Sequence, residues 1–290
     1  MPLGMNISDT GRNNLLENNY SLSFDDDAGA GDYLTLDTVG VDGTVPAAFT
    51  SRLNITKVSF MFWIKPANVN TVQPLFSVGA SESNQFTIML DANGKVNVKL
   101  VNTSHITSYT CVANQWTYIV VRYDGTGTPN LEVVTGTQGT LGEKAFSTTG
   151  TIPAIIPNFG DVDMLIGKIC AGLTLEAEHY NGLINNVFMM YDYLEDEEIE
   201  YLYNTYIGYI QSPFKDDLIN NYTKGHKCHW WWGMGDGYEQ GSGTTILNSG
   251  SMFTPWASIE NTSFYQMPMV GNPTIVSRFD DAANVPSASD

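Results

Sequence analysis

An all-β sandwich of antiparallel strands, with one short helix late in the chain, is the fold class that the sequence predicts. Three observations predict it. The 290 residues carry 12% aromatics and 27 glycines with only 15% charged residues, a balance that favours strands and turns. Short strand-competent runs follow one another with turn-forming residues between them. Only one stretch shows the 3.6-residue apolar period of a helix. At this length the chain can hold one large β domain or two modest ones.

Residues 1–19 are polar and Asn-rich and are expected to form an N-terminal arm. Tyr20-Ser21-Leu22-Ser23-Phe24 alternates as a half-buried strand does, and Tyr33-Leu34-Thr35-Leu36 resumes the alternation after an acidic, glycine-rich turn. Residues 58–64 are apolar on both faces until Lys65-Pro66 ends them, which predicts a central strand covered on both sides. Residues 86–90 and 96–100 flank Asp91-Ala92-Asn93-Gly94, and Asn-Gly readily takes the positive φ of a tight hairpin turn. In the second of those strands Val96, Val98 and Leu100 should face the core, and Asn97 and Lys99 water.

Residues 116–123 form another strand, stopped by Asp124-Gly125, and residues 131–134 and 164–169 add two more. Gly182 opens an apolar closing strand within residues 180–191. The helix is expected to start near Glu195, because Ile199, Leu202, Tyr203 and Tyr206 form one apolar stripe. Glu195, Asp196, Glu197 and Glu198 crowd its first turn, where the helix dipole favours negative charge, and Gly208 is the expected stop. Composition changes at Ser212-Pro213. The organisation expected is an arm (1–19), a sandwich domain (20–208), a C-terminal segment packing on the sandwich or on a neighbour (209–271) and an extended tail (272–290).

Thirteen basic against 31 acidic residues give a formal charge of -18, which repels phosphate backbones and argues against nucleic-acid binding. Cys111, Cys170 and Cys228 are far apart and allow at most one bridge. No signal peptide is visible at residues 1–11, and no apolar run approaches the ~18 residues that membrane insertion needs. The Asn-x-Ser/Thr sites at Asn6, Asn54, Asn102, Asn221 and Asn261 are expected to follow from Asn- and Thr-rich loops, not to accept glycans.

Four groups of residues could carry chemistry. Asp25, Asp26, Asp27 and Asp32, in one glycine-rich loop, and the pair Asp161 and Asp163, offer oxygens of the kind calcium takes; a solvated turn would use the same residues. Trp230, Trp231 and Trp232 could stack on sugar rings, although alternation would set Trp231 opposite the other two and bury at least one face. His226, Cys228 and His229 resemble half of a zinc site, but no second cluster has the right spacing. A glycosidase needs two carboxyl groups flanking the sugar bond. No strand carries alternating acids, and the acids of 195–200 sit at a helix start, so no enzymatic activity is expected.

The order of the strands resembles that of laminin-G-like, concanavalin-A-like jelly-roll domains. The match runs from Phe24 to Leu34 through Val58–Pro66, from Asn114 through Trp116 to Asp124-Gly125, through Leu165-Ile166-Gly167, and from Tyr180 to Asn204. It covers roughly residues 20–207. The resemblance implies two antiparallel sheets and a surface that in relatives often binds glycans, sometimes with calcium. Asn185-Asn186 stands where relatives often carry acids, and Leu131 to Gly136 replaces the usual Tyr-x-Asn-Gly, so family calcium ligands do not carry over residue by residue.

The segment Trp230 to Gly237 resembles an element of laminin-G-like structural proteins of tailed, possibly marine, phages. That resemblance implies a non-catalytic virion protein, a capsid decoration or fibre-associated jelly roll assembled in host cytoplasm and sited on the virion surface. Its partners would be other virion proteins such as the major capsid protein, or further copies of itself, and host-surface glycans. The alternative expectation is a lectin-type glycan-binding module, with calcium as the candidate cofactor.

Overall fold

Strand-forming runs cut by Gly, Pro and Asp turn signals set the architecture. The computed structural model describes residues 20–25, 31–36, 56–137, 140–144, 151–156, 164–207, 228–232, 245–247, 266–270 and 274–277. In chain order the strands are β1 (Tyr20–Phe24), β2 (Tyr33–Leu36), β3 (Lys57–Pro66), β4 (Gln73–Ser81), β5 (Asn84–Leu90) and β6 (Lys95–Leu100). Next come β7 (Thr103–Thr110), β8 (Thr117–Asp124), β9 (Asn130–Thr137), β10 (Thr140–Lys144), β11 (Met164–Ile166) and β12 (Gly182–Met190). Helix α1 (Asp196–Ile207) precedes β13 (Cys228–Trp232), β14 (Thr245–Leu247), β15 (Gln266–Val270) and β16 (Thr274–Ser277).

All pairings are antiparallel, and they make a two-sheet jelly-roll sandwich. The first sheet runs β10-β9-β8-β3-β12-β1-β16, with β13 also on β12, and the second runs β14-β15-β2-β11-β4-β5-β6-β7. The chain up to α1 gives six strands to each sheet, and the C-terminal strands add two to each. Within the stretch expected as a tail, Thr274–Ser277 is a strand hydrogen-bonded to β1, with Ser23 opposite Thr274.

The central position expected for residues 58–64 is the position of β3, between β8 and β12. Phe60, Phe62 and Ile64 enter the core between the sheets, where Phe60 lies 5.0 Å from Phe86 and 4.6 Å from Phe76. Met61 and Trp63 face the other way and are buried under α1 with Tyr118, Leu202 and Tyr203. Both faces of the strand are apolar because both are covered, and each such side chain contributes about 1.5–3 kcal/mol on burial.

The helix is fixed by its acidic start as well as by its stripe. Arg122, buried on the α1 side of β8, donates to Asp196 at 2.6 Å, to Glu132 on β9 and to the Leu194 carbonyl. Ser59 of β3 accepts from the Leu194 amide at 3.0 Å and donates to the Asp192 carbonyl at 2.8 Å, which clasps the chain entering α1.

Two backbone features shape β12. Gly182, at φ +140°, lies so close to Lys65 and Ala67 that any Cβ would meet their backbone atoms. Asn186, at φ +47°, forms a bulge: Asn185 pairs with Trp63 and Phe188 with Met61, so β12 spends one extra residue there.

Several expectations needed correction in detail. The hairpin at 91–94 is present, with Gly94 at φ +71° and Asp91 Oδ1 accepting from the amides of Asn93 and Lys95. Asn97, expected to face water, lies on the face away from the core but is buried, in a cross-strand row between Met89 and Ile106. The strand expected over 164–169 ends at Ile166, because Gly167 turns the chain at φ +87°. The expected helix stop at Gly208 lies outside the described residues.

Candidate functional site

The outer face of the second sheet combines hydrogen-bonding side chains, partly exposed rings and cations. Alternation puts Phe86, Ile88 and Leu90 of β5 inward and Gln85, Thr87 and Met89 outward. The same register, carried across six strands, sets Thr35, Leu165, Ser77, Thr87, Lys99 and Ser104 in one continuous row. Apart from Leu165, every member of that row can donate a hydrogen bond.

Within the row, protons are ordered. The Thr87 hydroxyl donates to Gln85 Oε1 at 3.2 Å, so Ser77 donates to Thr87 across 3.3 Å, while Ser77 accepts from the Cys170 amide at 3.1 Å. Gln85 Nε2 then donates to Glu82 Oε2 at 2.6 Å, and the Thr174 amide donates to Glu82 Oε1 at 2.5 Å. The chain of donors thus begins at Cys170 and returns to Thr174. It pins the turn of residues 168–178 onto the sheet at two places. Beneath that turn, Ile169, Cys170 and Leu173 pack on Met89 and Leu165 as a separate apolar cluster.

Glu82 collects these donors and stands 3.7 Å from Lys99 Nζ. Burial pushes its carboxyl up, but hydrogen bonds from Thr174 and Gln85 and the Lys99 charge outweigh it and hold the group below its ordinary value. On the same face Lys95 precedes Asn97 and Lys99 at alternating positions of β6, and Asn97 Oδ1 is buried without a hydrogen-bond partner.

A second group stands further along the face, at β2 and the start of the 168–178 turn. Lys168 Nζ lies 4.5 Å from the centroid of the Tyr33 ring, a cation–π contact, and the His179 ring lies 6.1 Å from Tyr33. All three side chains are half-buried. His179 Nδ1 lies 3.0 Å from the Ala177 carbonyl, and its ring packs against Gly31, where any side chain would collide with it.

The residues expected to carry chemistry are distributed as follows. Asp25 and Asp32 close the mouth of the acidic loop: the Asp32 amide donates to the Asp25 carbonyl at 2.9 Å, and Asp32 Oδ2 accepts from the Asp25 amide at 3.0 Å. Asp32 then leads directly into Tyr33. Asp26 and Asp27 lie outside the described residues, as do Asp161 and Asp163. Met164, which follows Asp163 and opens β11, pairs with Leu36 at the opposite end of β2 from Asp32. Among the described residues no three His, Cys, Asp or Glu side chains group as metal ligands.

Trp230, Trp231 and Trp232 form β13, on the other sheet, opposite Met189, Phe188 and Val187. Met189 and Val187 belong to the core between the sheets, whereas Phe188 belongs to the cluster under α1. The structure therefore does not bring the tryptophans onto the face that carries Tyr33 and Lys99.

Sequence reasoning missed Ser77, Glu82, Gln85, Thr87, Lys168 and His179. A signal was available in Gln85-Phe86-Thr87-Ile88-Met89, whose polar members fall on one face. Among the described residues no helix is long and apolar enough to cross a membrane.

A two-sheet antiparallel sandwich with a helix over one sheet and a hydrogen-bonding outer face on the other defines the class of lectin-like β sandwiches. The chain belongs to the concanavalin A-like lectin/glucanases superfamily, whose laminin-G-type sequence profile matches residues 28–200, well over half of its length. No curated protein matches the chain.

Among solved structures, a candidate carbohydrate-binding protein from Bacteroides ovatus is similar with a TM-score of 0.54 and 11% identity over 89% of this chain. This chain spans 60% of the length of that protein. A heptameric SAP-like pentraxin from Limulus polyphemus has a TM-score of 0.42 and 12% identity, over 61% of this chain and 78% of its own. The sialidase module CBM40 from Ruminococcus gnavus, bound to α2,3-sialyllactose, has a TM-score of 0.43 and 17% identity, over 58% of this chain and 90% of its own.

Proposed function

We propose that the chain is a non-catalytic, lectin-type carbohydrate-binding module that presents the outer face of its second sheet to a glycan. The observation that carries this reading is the set of half-buried side chains Lys99, Ser104, Tyr33, Lys168 and His179 on one outer face, with Ser77 and Thr87 buried and supporting the 168–178 turn there. A sugar offers hydroxyls at its edge and C–H groups on its faces, so it needs dense hydrogen-bonding groups next to rings. Family membership and the likeness in fold to the Bacteroides ovatus protein support the same reading.

Glycoside hydrolysis would require a carboxyl group held protonated, hence with a raised pKa, facing a second carboxylate. Glu82, the carboxylate within the hydrogen-bonded row, is shifted the other way. Calcium enters the reading as a candidate ion at the acidic loop that leads from Asp25 through Asp32 to Tyr33.

A glycan array with the full chain, with and without a chelator, tests the proposal. Saccharide binding that weakens about 3- to 10-fold in Tyr33→Ala is the expected result. Absence of binding to every saccharide, or binding indifferent to Tyr33→Ala and Lys99→Ala together, would overturn it. A role in a virion, with capsid proteins or further copies of the chain as partners, rests on the likeness of residues 230–237 to phage structural proteins. Mass spectrometry of purified particles tests that role.

A further inference from the structure

β7 differs from the other strands of the second sheet in what it turns toward the core. β4, β5 and β6 bury Phe76, Val78, Phe86, Ile88, Leu90, Val96, Val98 and Leu100 there, whereas β7 buries His105 and Thr107 and no apolar side chain completely. It is also the last strand of its sheet, hydrogen-bonded only to β6 among the described strands. Its hold on the sandwich is therefore mostly a single ladder of backbone hydrogen bonds.

His105 stands opposite Val98, a core residue, and is 4% exposed. Neither of its ring nitrogens has a hydrogen-bond partner. A neutral imidazole carries one N–H that is left unpaired there; an imidazolium would carry two, and a charge.

Among the described residues, the faces turned toward His105 carry nothing to compensate that charge. Val98 and Leu100 face His105 from β6, and the inner residues of β8 and β9 on the facing sheet are Ile119, Val121, Tyr123, Leu131 and Val133. The titratable groups on these faces are Tyr123, together with Tyr109 of β7 and Cys111 just beyond it. Burial raises all three, Cys111 to about 12, so none is an anion at neutral or acidic pH. Tyr123 further commits its hydroxyl to the Pro153 carbonyl at 2.6 Å.

We propose that His105 makes β7 an acid-released edge strand: protonation drives the imidazole out from between the sheets, and β7 leaves β6 while the rest of the sandwich stays folded. Burial depresses the proton affinity of His105 in the folded state, in keeping with that geometry. A base with a depressed folded pKa stabilises the closed strand above its unfolded value, about 6.5, and that stabilisation is lost as the pH falls below it.

Hydrogen exchange of the full chain, corrected for intrinsic chemistry, tests the device. Between pH 7.5 and 5.0 the open population of residues 103–110 should rise by up to about 30-fold, while residues 86–90 keep their protection. His105→Gln should flatten that dependence. An unchanged exchange rate in β7, or the same rise in the His105→Gln chain, would refute the proposal. Should the variant fail to fold, NMR titration of the wild-type imidazole decides: the ring should titrate together with loss of the β7 amide signals. A ring that titrates near 6.5 over unchanged β7 amides is the opposing result.

Discussion

Asn185 Nδ2 donates to Ser21 Oγ across 3.2 Å, both residues fully buried, at the point where β12 changes neighbour. Up to Ile184, β12 pairs with β1; from Val187 it pairs with β13 along the same edge. The bulge at Asn186 lies between the two, and Asn186 Nδ2 donates in turn to Asn185 Oδ1. Two strands meeting end to end would leave backbone groups short of partners, and a connected set of short polar side chains fits that junction. The residues that stand where relatives often carry acids thus serve the sheet.

Replacing Asn185 by Leu removes the bonds to Ser21 and Asn186 inside a buried junction. We expect a loss of about 1–3 kcal/mol in urea unfolding, with Ser21→Ala costing less because the larger partner remains. Asn186→Val should cost at least as much, since a β-branched residue resists positive φ. Unchanged unfolding midpoints in both Asn variants would show that the junction does not depend on these side chains.

Gly182→Ala combines a positive φ with a Cβ driven into the backbone of Lys65 and Ala67. The expected cost is about 2 kcal/mol or more, seen as a lower denaturant midpoint at constant slope. Gly127, at φ +68°, has nothing within 4 Å of a Cβ, so Gly127→Ala carries only the smaller left-handed backbone cost and should lower the midpoint less.

Glu82 ties the 168–178 turn to the sheet as an anion. Its pKa is lowered in the folded state, so its contribution is complete above the unfolded value, near 4.5, and fades as the pH falls through the folded one. Hydrogen exchange at residues 170–176 should therefore rise below pH 4.5 in the wild-type chain. Glu82→Gln should show raised exchange already at pH 7, with little further change on acidification. Equal protection of the turn in both proteins at pH 7 would exclude Glu82 as the tie.

The legible parts of this fold were those whose pattern is local. β3 declared itself through seven residues apolar on both faces, the 91–94 hairpin through Asn-Gly, and α1 through a stripe under an acidic first turn. β7 is Thr-Ser-His-Ile-Thr-Ser-Tyr-Thr and β4 contains Pro74 and Gly79, so neither advertises a strand; pairing with β6 and β5 makes them strands. The candidate site was hidden for a related reason. Ser77, Thr87 and Lys99 come from three strands, and Cys170 and Thr174 from a turn about 90 residues away from Ser77 and Glu82. Only the cross-strand register brings them into one row. The tryptophans drew attention as a contiguous motif, yet they belong to the other sheet.

Arg122 offers the sharpest test of how α1 is held. Its guanidinium is buried and bonds Glu132, Asp196 and the Leu194 carbonyl, and it lies 4.5 Å over the Tyr193 ring. Tyr193 donates its hydroxyl to Glu132 Oε2 at 2.9 Å, so Glu132 serves both partners. Burial pushes the Glu132 carboxyl up, but the Tyr193 hydrogen bond and the Arg122 charge bring it below its ordinary value. Arg122→Met fills much of the same volume yet strands Glu132 without its cation, and such one-sided removal costs about 3–5 kcal/mol. Arg122→Met combined with Glu132→Leu removes both charges and should recover most of that loss. The wild-type contribution should fade below pH 4.5 as Glu132 takes up a proton, whereas the double variant should lack that component. If the single and double variants unfold at the same denaturant concentration, the loss comes from the bonds of Arg122 to Asp196 and the Leu194 carbonyl and not from the charge left on Glu132.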